Sequence, residues 1–269
     1  MEGNTDLSRD IPTLLVRPKR NIVYISIIAR NVPTVVDNVF EILDNFKIDV
    51  SEATVTTDFK RNEKIISFFA DFSHSTLEDI SFFSEIIERV DGVKSVKMSD
   101  PLMRGVTVAD IEFPVTTFGG MLRAVILPEP LFAGLIRGTI KRFGPTGLLL
   151  LYEAGREVGF QVGELLKKFD VPIDKLLEGC LKILKSIGML DPTTFEIKYT
   201  NEIIVRFRDC IECRNSADLV GNNPSANLVR GLIDGLLEEY YGREYLSVET
   251  KCQYKGDDFC EIITRPRSS

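Results

Sequence analysis

Glu249-Thr-Lys-Cys252-Gln-Tyr-Lys-Gly-Asp-Asp-Phe-Cys260 sets one carboxylate and two thiols around a Lys255-Gly-Asp-Asp258 turn. Gly and Asp between β-forming runs read as a hairpin, so the stretch joins two strands, 245–253 and 259–264. In such a hairpin Cys252 and Cys260 can face each other. Glu249 lies three residues before Cys252, and residues three apart in a regular strand point to opposite faces. A bulge or a strand end is therefore needed to bring its carboxylate to the thiols. Upstream, Cys210-Ile-Glu-Cys213 has zinc-knuckle spacing, provided the strand turns at residue 211 or 212. Thiolates with one carboxylate suit a four-coordinate zinc. Inert buried thiols, or a redox or disulfide pair, are the other readings of the same four cysteines.

Working back from the hairpin, a helix over 226–241 follows a polar Gly/Asn/Pro-rich loop, 214–225. Before that come strands at 195–199 and 202–210, joined by a Thr200-Asn201 turn. Three helices precede them, at 129–143, 146–169 and 174–188. This half reads as α+β, several helices and then an antiparallel sheet crossed by one more helix. Cys180 sits on an apolar stripe with Leu176, Leu177, Leu181, Leu184 and Ile187, the position of a core residue.

The first hundred residues have a different rhythm. A polar arm, 1–20, contains Pro12 and Pro18. Strands at 21–29, 51–57, 65–72 and 93–98 alternate with two helices. The first carries Val36, Val39, Phe40, Leu43 and Phe46 behind a Thr34 cap. The second carries Leu77, Ile80, Phe83, Ile87 and Val90 behind Ser75 or Thr76, and Asp91-Gly92 stops it. The order βαββαβ predicts a ferredoxin-like unit at 21–100 with both helices on one face. Pro101, Pro114 and Gly119-Gly120 make 101–125 a linker and the start of a second domain, which fills 126–269. His74, the one histidine, falls in the loop before the second helix.

The chain has 269 residues, 44% of them hydrophobic, which is room and material for two ordinary cores. A formal charge of −7 argues against nucleic acid as a direct partner. The apolar run Gly147-Leu-Leu-Leu-Leu-Tyr152 is far too short for a bilayer span. Met1-Glu-Gly-Asn-Thr-Asp lacks the apolar core of a signal peptide, so the expected location is cytoplasmic. Five cysteines argue against a disulfide framework. There is no Ser/His/Asp trio, phosphate-cradling loop or histidine metal centre, and the expectation is a protein that is not an enzyme.

Gly155, Gly159 and Gly163 recur four apart on one helix, and Gly231 and Gly235 do so on another. Small residues at this spacing let helices approach closely. Alternatively, they leave a floor for an apolar guest walled by Phe132, Leu135, Tyr152, Leu232 and Leu236.

Two resemblances follow from these residues. The βαββαβ order over 21–100 resembles the ACT domains, which often pair through their sheets and bind amino acids. Its first turn, Arg30-Asn-Val-Pro-Thr34, lacks their glycine, so dimerisation or docking stands beside effector binding. The series Tyr152-Glu-Ala-Gly-Arg-Glu-Val-Gly159, Gly231-x3-Gly235, Gly242-Arg-Glu244 and Glu249-x2-Cys252-x7-Cys260 resembles the 4-vinyl reductase domain over about 103–265. That family includes phenol sensors of transcription activators and archaeal hydrocarbon-binding proteins, and its fold is related to vesicle-tethering TRAPP subunits. The resemblance implies a sensor for a small hydrophobic ligand, a homodimer, and a structural zinc held by Glu249, Cys252 and Cys260. The family's first cysteine corresponds to Ala226, which leaves Cys213 or Cys210 as its substitute. The sensors' phenol-orienting Trp and His have no counterparts here, so phenol itself is not the expected ligand. Alternatives are an assembly subunit and an accessory protein of tetrapyrrole or lipid metabolism. Any effect on transcription would pass through a protein partner that reads the signal.

Overall fold

The computed structural model describes residues 11, 13–75, 77–117, 120–168, 172–197 and 202–267, with the side chains of 77–79 and 174 also set aside. The expected arm over 1–10 and 12, the Thr76 cap, the Leu77 side chain, Gly119 and the Thr200-Asn201 turn lie outside the described residues. The chain divides into two compact units, Met1–Ile126 and Leu127–Ser269.

In the first unit β1 (Leu14–Val16) and β2 (Ile22–Arg30) precede α1 (Pro33–Asn45), β3 (Asp49–Asp58), β4 (Glu63–Asp71), α2 (Leu77–Glu88) and β5 (Val93–Ser99). Short strands β6 (Val106–Val108), β7 (Thr116–Thr117) and β8 (Leu122–Arg123) close it. The four long strands form an antiparallel sheet in the order β3-β4-β2-β5, the ferredoxin-like topology. Val23, Ile25, Ile27 and Ala29 of β2 alternate toward Val35, Val39 and Leu43 of α1 and Phe83 and Ile87 of α2. Helix α1 opens on Pro33, with Val32 as its N-cap and no side-chain cap, so Thr34 is not the cap. Proline's fixed φ suits the first helical position, where its missing N–H costs nothing.

The other face of that sheet is also covered. Leu15, Ile22, Tyr24 and Phe69 form a second buried cluster, against which Ala109 and Ile111 pack. Strand β1 pairs with β6, and Thr107 donates to the Ile22 carbonyl. Glu112 accepts hydrogen bonds from the Tyr24 and Ser67 hydroxyls. The segment from 101 to 126 therefore completes the first unit instead of starting the second, and 14–16 is strand instead of arm. Residues 109–112 lie over apolar surface that a bare βαββαβ sheet would expose to water.

The second unit contains α3 (Glu129–Phe143), α4 (Pro145–Lys167), α5 (Ile173–Ser186), β9 (Asp191–Ile197), β10 (Ile203–Arg208), α6 (Ile211–Val220), α7 (Asn227–Tyr241), β11 (Tyr245–Lys251) and β12 (Cys260–Pro266). Its sheet is antiparallel, ordered β11-β12-β10-β9. Val229, Leu232, Ile233, Leu236 and Leu237 of α7 and Leu176, Leu177, Cys180 and Leu181 of α5 share its core with Val205, Phe207 and Ile262. Helix α6 occupies what the composition suggested was loop. Its buried face is Glu212, Cys213, Ser216 and Val220, too polar to show as an apolar stripe. Among the described residues no helix is long and apolar enough to cross a membrane.

Helices α4 and α7 meet through their glycines. A Cβ added at Gly155 would stand 2.0 Å from the Leu228 carbonyl oxygen, and one at Gly159 2.2 Å from that of Leu232. From the other side, Gly231 would meet the Tyr152 oxygen at 1.9 Å and Gly235 the Arg156 oxygen at 2.0 Å. The space left by the missing side chains is filled by opposing backbone. It is not the floor of a pocket.

Candidate metal centre

Three local features bring the cysteines together. Strand β10 ends at Arg208, Asp209 takes a left-handed φ of 49°, and α6 starts at Ile211. This is the turn that the Cys210-x-x-Cys213 spacing requires. Cys210 becomes the N-cap of α6, and its sulfur accepts from the Cys213 backbone N–H at 3.5 Å. On the hairpin, the β11–β12 register slips between Glu249 and Lys251. One extra residue in a strand returns side chains three apart to the same side, so Glu249 and Cys252 can share a face. Gly256, at a φ of 107°, and the bond from Cys252 N–H to Asp257 Oδ2 (2.8 Å) then shape the turn into β12.

The result is a buried cluster. The sulfurs of Cys213, Cys252 and Cys260 all lie within 4.8 Å of one another, and Cys213 and Cys260 are 3.9 Å apart. Glu249 Oε1 is 3.9 Å from the Cys213 sulfur. Tetrahedral zinc with Zn–S of about 2.3 Å separates its sulfurs by roughly 3.8 Å, so the three sulfurs fit that ion, and Glu249 reaches the group beside Cys213. The other oxygen of Glu249 accepts from the Ser225 N–H, the kind of outer bond that orients a ligating carboxylate. Cys210 touches Cys213 and is not part of the three-sulfur group.

The electrostatics reflect this crowding. Hydrogen bonds from Cys213 and Cys260 hold the Cys252 thiol far below its ordinary value, to about 2. Cys213 is pushed upward, first by its interaction with Cys210. Burial raises Glu249 to about 7, against the lowering by the Ser225 N–H. The lowering at Cys252 is in the direction that metal ligation requires, since a ligating sulfur must be a thiolate.

The five residues expected to wall a ligand pocket do not converge. Leu232 and Leu236 are buried in the α7 core. Phe132 packs in a separate cluster with Ile136, Ile140, Leu148 and Leu151, while Leu135 is 60% exposed. Tyr152 directs its hydroxyl to Asp234 Oδ2 at 2.7 Å. Sequence reading missed two carboxylates. Asp234 is fully buried and accepts from Tyr152, Thr264 and the Ser247 N–H, tying α4 and α7 to the sheet. Glu212, also fully buried, accepts from the N–H groups of Leu228 and Val229.

The stretch carrying β10, α6, α7 and the hairpin, residues 203–266, matches the 4-vinyl reductase domain family. An uncharacterized protein of Methanocaldococcus jannaschii is 35% identical over 118 residues, 43% of this chain. The matched region spans 63% of that relative's length. A solved vinyl-4-reductase family protein from Methanocaldococcus jannaschii aligns over 54% of this chain and 85% of its own, at 22% identity and a TM-score of 0.36. The phenol-responsive sensory domain of the transcription activator PoxR, solved with phenol, aligns over 55% of this chain and 78% of its own. Its identity is 20% and its TM-score 0.48. Cys213, Cys252, Cys260 and Glu249 all fall inside the matched stretch, 203–266.

Proposed function

We propose that the Leu127–Ser269 unit is a non-catalytic ligand-sensing module, braced by a structural zinc held by Cys213, Cys252, Cys260 and Glu249. The observation that carries this reading is the convergence of three buried sulfurs and a carboxylate from α6, β11, the following turn and β12. Four protein ligands leave no open coordination position, which is the structural type of zinc site. The ion would lock α6 to the hairpin, and through Glu249 and Ser225 it would fix the approach to α7. The match to the 4-vinyl reductase domain supports sensing, with a small apolar molecule as the ligand class that the family resemblance implies.

The guest does not sit on the glycine faces, which are closed. Apolar surface is open on α3 and α4, where Leu131, Leu135, Leu149, Leu150 and Val158 are exposed. The same surface favours a second reading, an assembly subunit that pairs with its own copy or another protein through these helices. In either reading the acidic chain acts on proteins, and the ferredoxin-like unit supplies effector binding or docking.

Zinc content of the wild type beside Cys252→Ser and Cys260→Ser tests the metal centre. One zinc per wild-type chain and loss in both variants is expected, and equal content in all three refutes it. Mass spectrometry of organic extracts from the native protein separates the two readings. A small exchangeable molecule supports sensing. A lipid that stays with the protein through exchange overturns it in favour of assembly.

A further inference from the structure

Four donors belong to the metal centre, which leaves Cys210, a fully buried thiol against one of them. Cys210 is extended at the N-cap of α6 (φ −76°, ψ 116°), and Cys213 lies in the first turn behind it. The Cys213 N–H donates to the Cys210 sulfur at 3.5 Å, which holds that thiol over the first turn of the helix. We infer that Cys210 is a resolving thiol: oxidation joins it to Cys213, takes that ligand from the zinc and releases the ion. This rests on the metal centre proposed above.

Helix neighbours three apart have Cβ atoms about 5–6 Å from each other. Closing to the roughly 4 Å of a disulfide needs only an adjustment at the N-cap residue, which is not held in helical geometry. Cys252 and Cys260 are fixed in the hairpin as ligands, so Cys210 is the cysteine of the cluster that has no metal to leave. Because every sulfur is buried, the oxidant must be small, and hydrogen peroxide meets that requirement. The Cys213 thiolate attacks a peroxide oxygen, breaking the O–O bond to give a sulfenic acid and hydroxide. The Cys210 thiol then attacks the sulfenic sulfur, forming the S–S bond and releasing water. Thiolate, thiol and peroxide thus become one disulfide, one water and one hydroxide. With Cys213 bridged, only Cys252, Cys260 and Glu249 would remain to hold a zinc ion, which would weaken its retention.

The turn over the cluster is held at its rim by polar contacts that can open. Tyr254 donates to Asp209 at 3.1 Å and accepts from Arg214 at 3.1 Å, and the Gln253 side chain accepts from the Asp209 N–H at 3.0 Å. Release of Cys213 separates α6 from this turn and from Glu249, so the thiol pair links oxidation to the start of α7.

The test uses the zinc-loaded full chain, titrated with hydrogen peroxide under anaerobic conditions. Zinc release is read with a chromogenic chelator, thiols are counted, and the bridge is located by peptide mapping. Two thiols lost per zinc released, with Cys210 bridged to Cys213, is the expected result. Cys210→Ser should hold zinc at wild-type stoichiometry and release it several-fold more slowly, while Cys180→Ser behaves as wild type. Release from Cys210→Ser at the wild-type rate, or a bridge involving Cys252 or Cys260, overturns the inference while leaving the metal centre standing. A wild type without zinc before peroxide is added overturns the metal centre and the switch together.

Discussion

Glu212 sits between the two cysteines of the Cys210-x-x-Cys213 spacing and does a different job from either. Helix α7 begins at Asn227 with Ala226 as its N-cap and no side-chain cap of its own. A helix N-terminus leaves its first N–H groups unsatisfied. Glu212 Oε1 accepts from Leu228 at 2.8 Å and Oε2 from Val229 at 3.1 Å. Burial raises this carboxyl to about 8, against the lowering by those two bonds. Its folded value is above the unfolded one, so the stability it contributes is full below about 4.5 and is lost as pH rises through 8. Urea denaturation should show stability falling across that window, by at most about 1.4 kcal/mol per pH unit for one group. Glu212→Gln should flatten the fall, and an unchanged slope would remove Glu212 as its source. Cys180 gives a simpler expectation. Burial pushes its thiol to about 12, so the native protein at pH 8 should leave it unalkylated by iodoacetamide, with labelling appearing only in denaturant. Cys180 was legible because its neighbours form an apolar stripe. Glu212 was not, because the backbone it caps belongs to another helix.

At the scale of elements, the four-residue glycine spacing of α4 and α7 was plain in the sequence, but its partner was not. Only the fold shows that the two series face each other, with carbonyl oxygens at about the place where each Cβ would stand. Arg156–Glu238 (2.7 Å) and Lys167–Glu239 (2.8 Å) tie the same two helices together. Gly231→Ala would drive a methyl against the Tyr152 carbonyl, and backbone cannot rotate away as a side chain does. The expected cost is about 1–3 kcal/mol, the usual range for overpacking. Gly134 is the control, since a Cβ there meets nothing within 4 Å. Gly134→Ala should be neutral or gain up to about 1 kcal/mol through helix propensity. Equal effects from the two substitutions would mean that α4 and α7 are not in backbone contact. The hairpin shows the same division between legible and hidden. The sequence required a bulge to bring in Glu249 and a turn to bring in Cys213, without revealing that a helix would carry the latter. Helix α6 was hidden because its inward face is a carboxylate, a thiol and a hydroxyl.

For the whole molecule, the division between units falls after Ile126, and this decides how the chain can be cut. The periodicities over 21–100 describe a complete βαββαβ pattern, and that pattern is what folds. They give no sign of what covers the sheet's second face, because strands of two or three residues among prolines and glycines look like linker. A fragment of residues 21–100 would lose Leu15, Thr107, Ala109, Ile111 and Glu112. It would leave the Ile22, Tyr24 and Phe69 face bare and the Tyr24 and Ser67 hydroxyls without their shared acceptor. Exposed apolar surface of that kind drives association. A fragment of residues 13–126 keeps the cover. The longer fragment should unfold cooperatively in urea and stay monodisperse by light scattering at concentrations where the shorter one aggregates or binds a hydrophobic dye. The intermediate case is residues 13–126 carrying Glu112→Ala, which keeps the apolar cover but strands two hydroxyls, at about 1–3 kcal/mol if they stay unsatisfied. Its midpoint should fall between those of the two fragments. If residues 21–100 prove as stable and as monodisperse as residues 13–126, the segment after β5 is a passenger, and the sheet's second face is free to receive another chain.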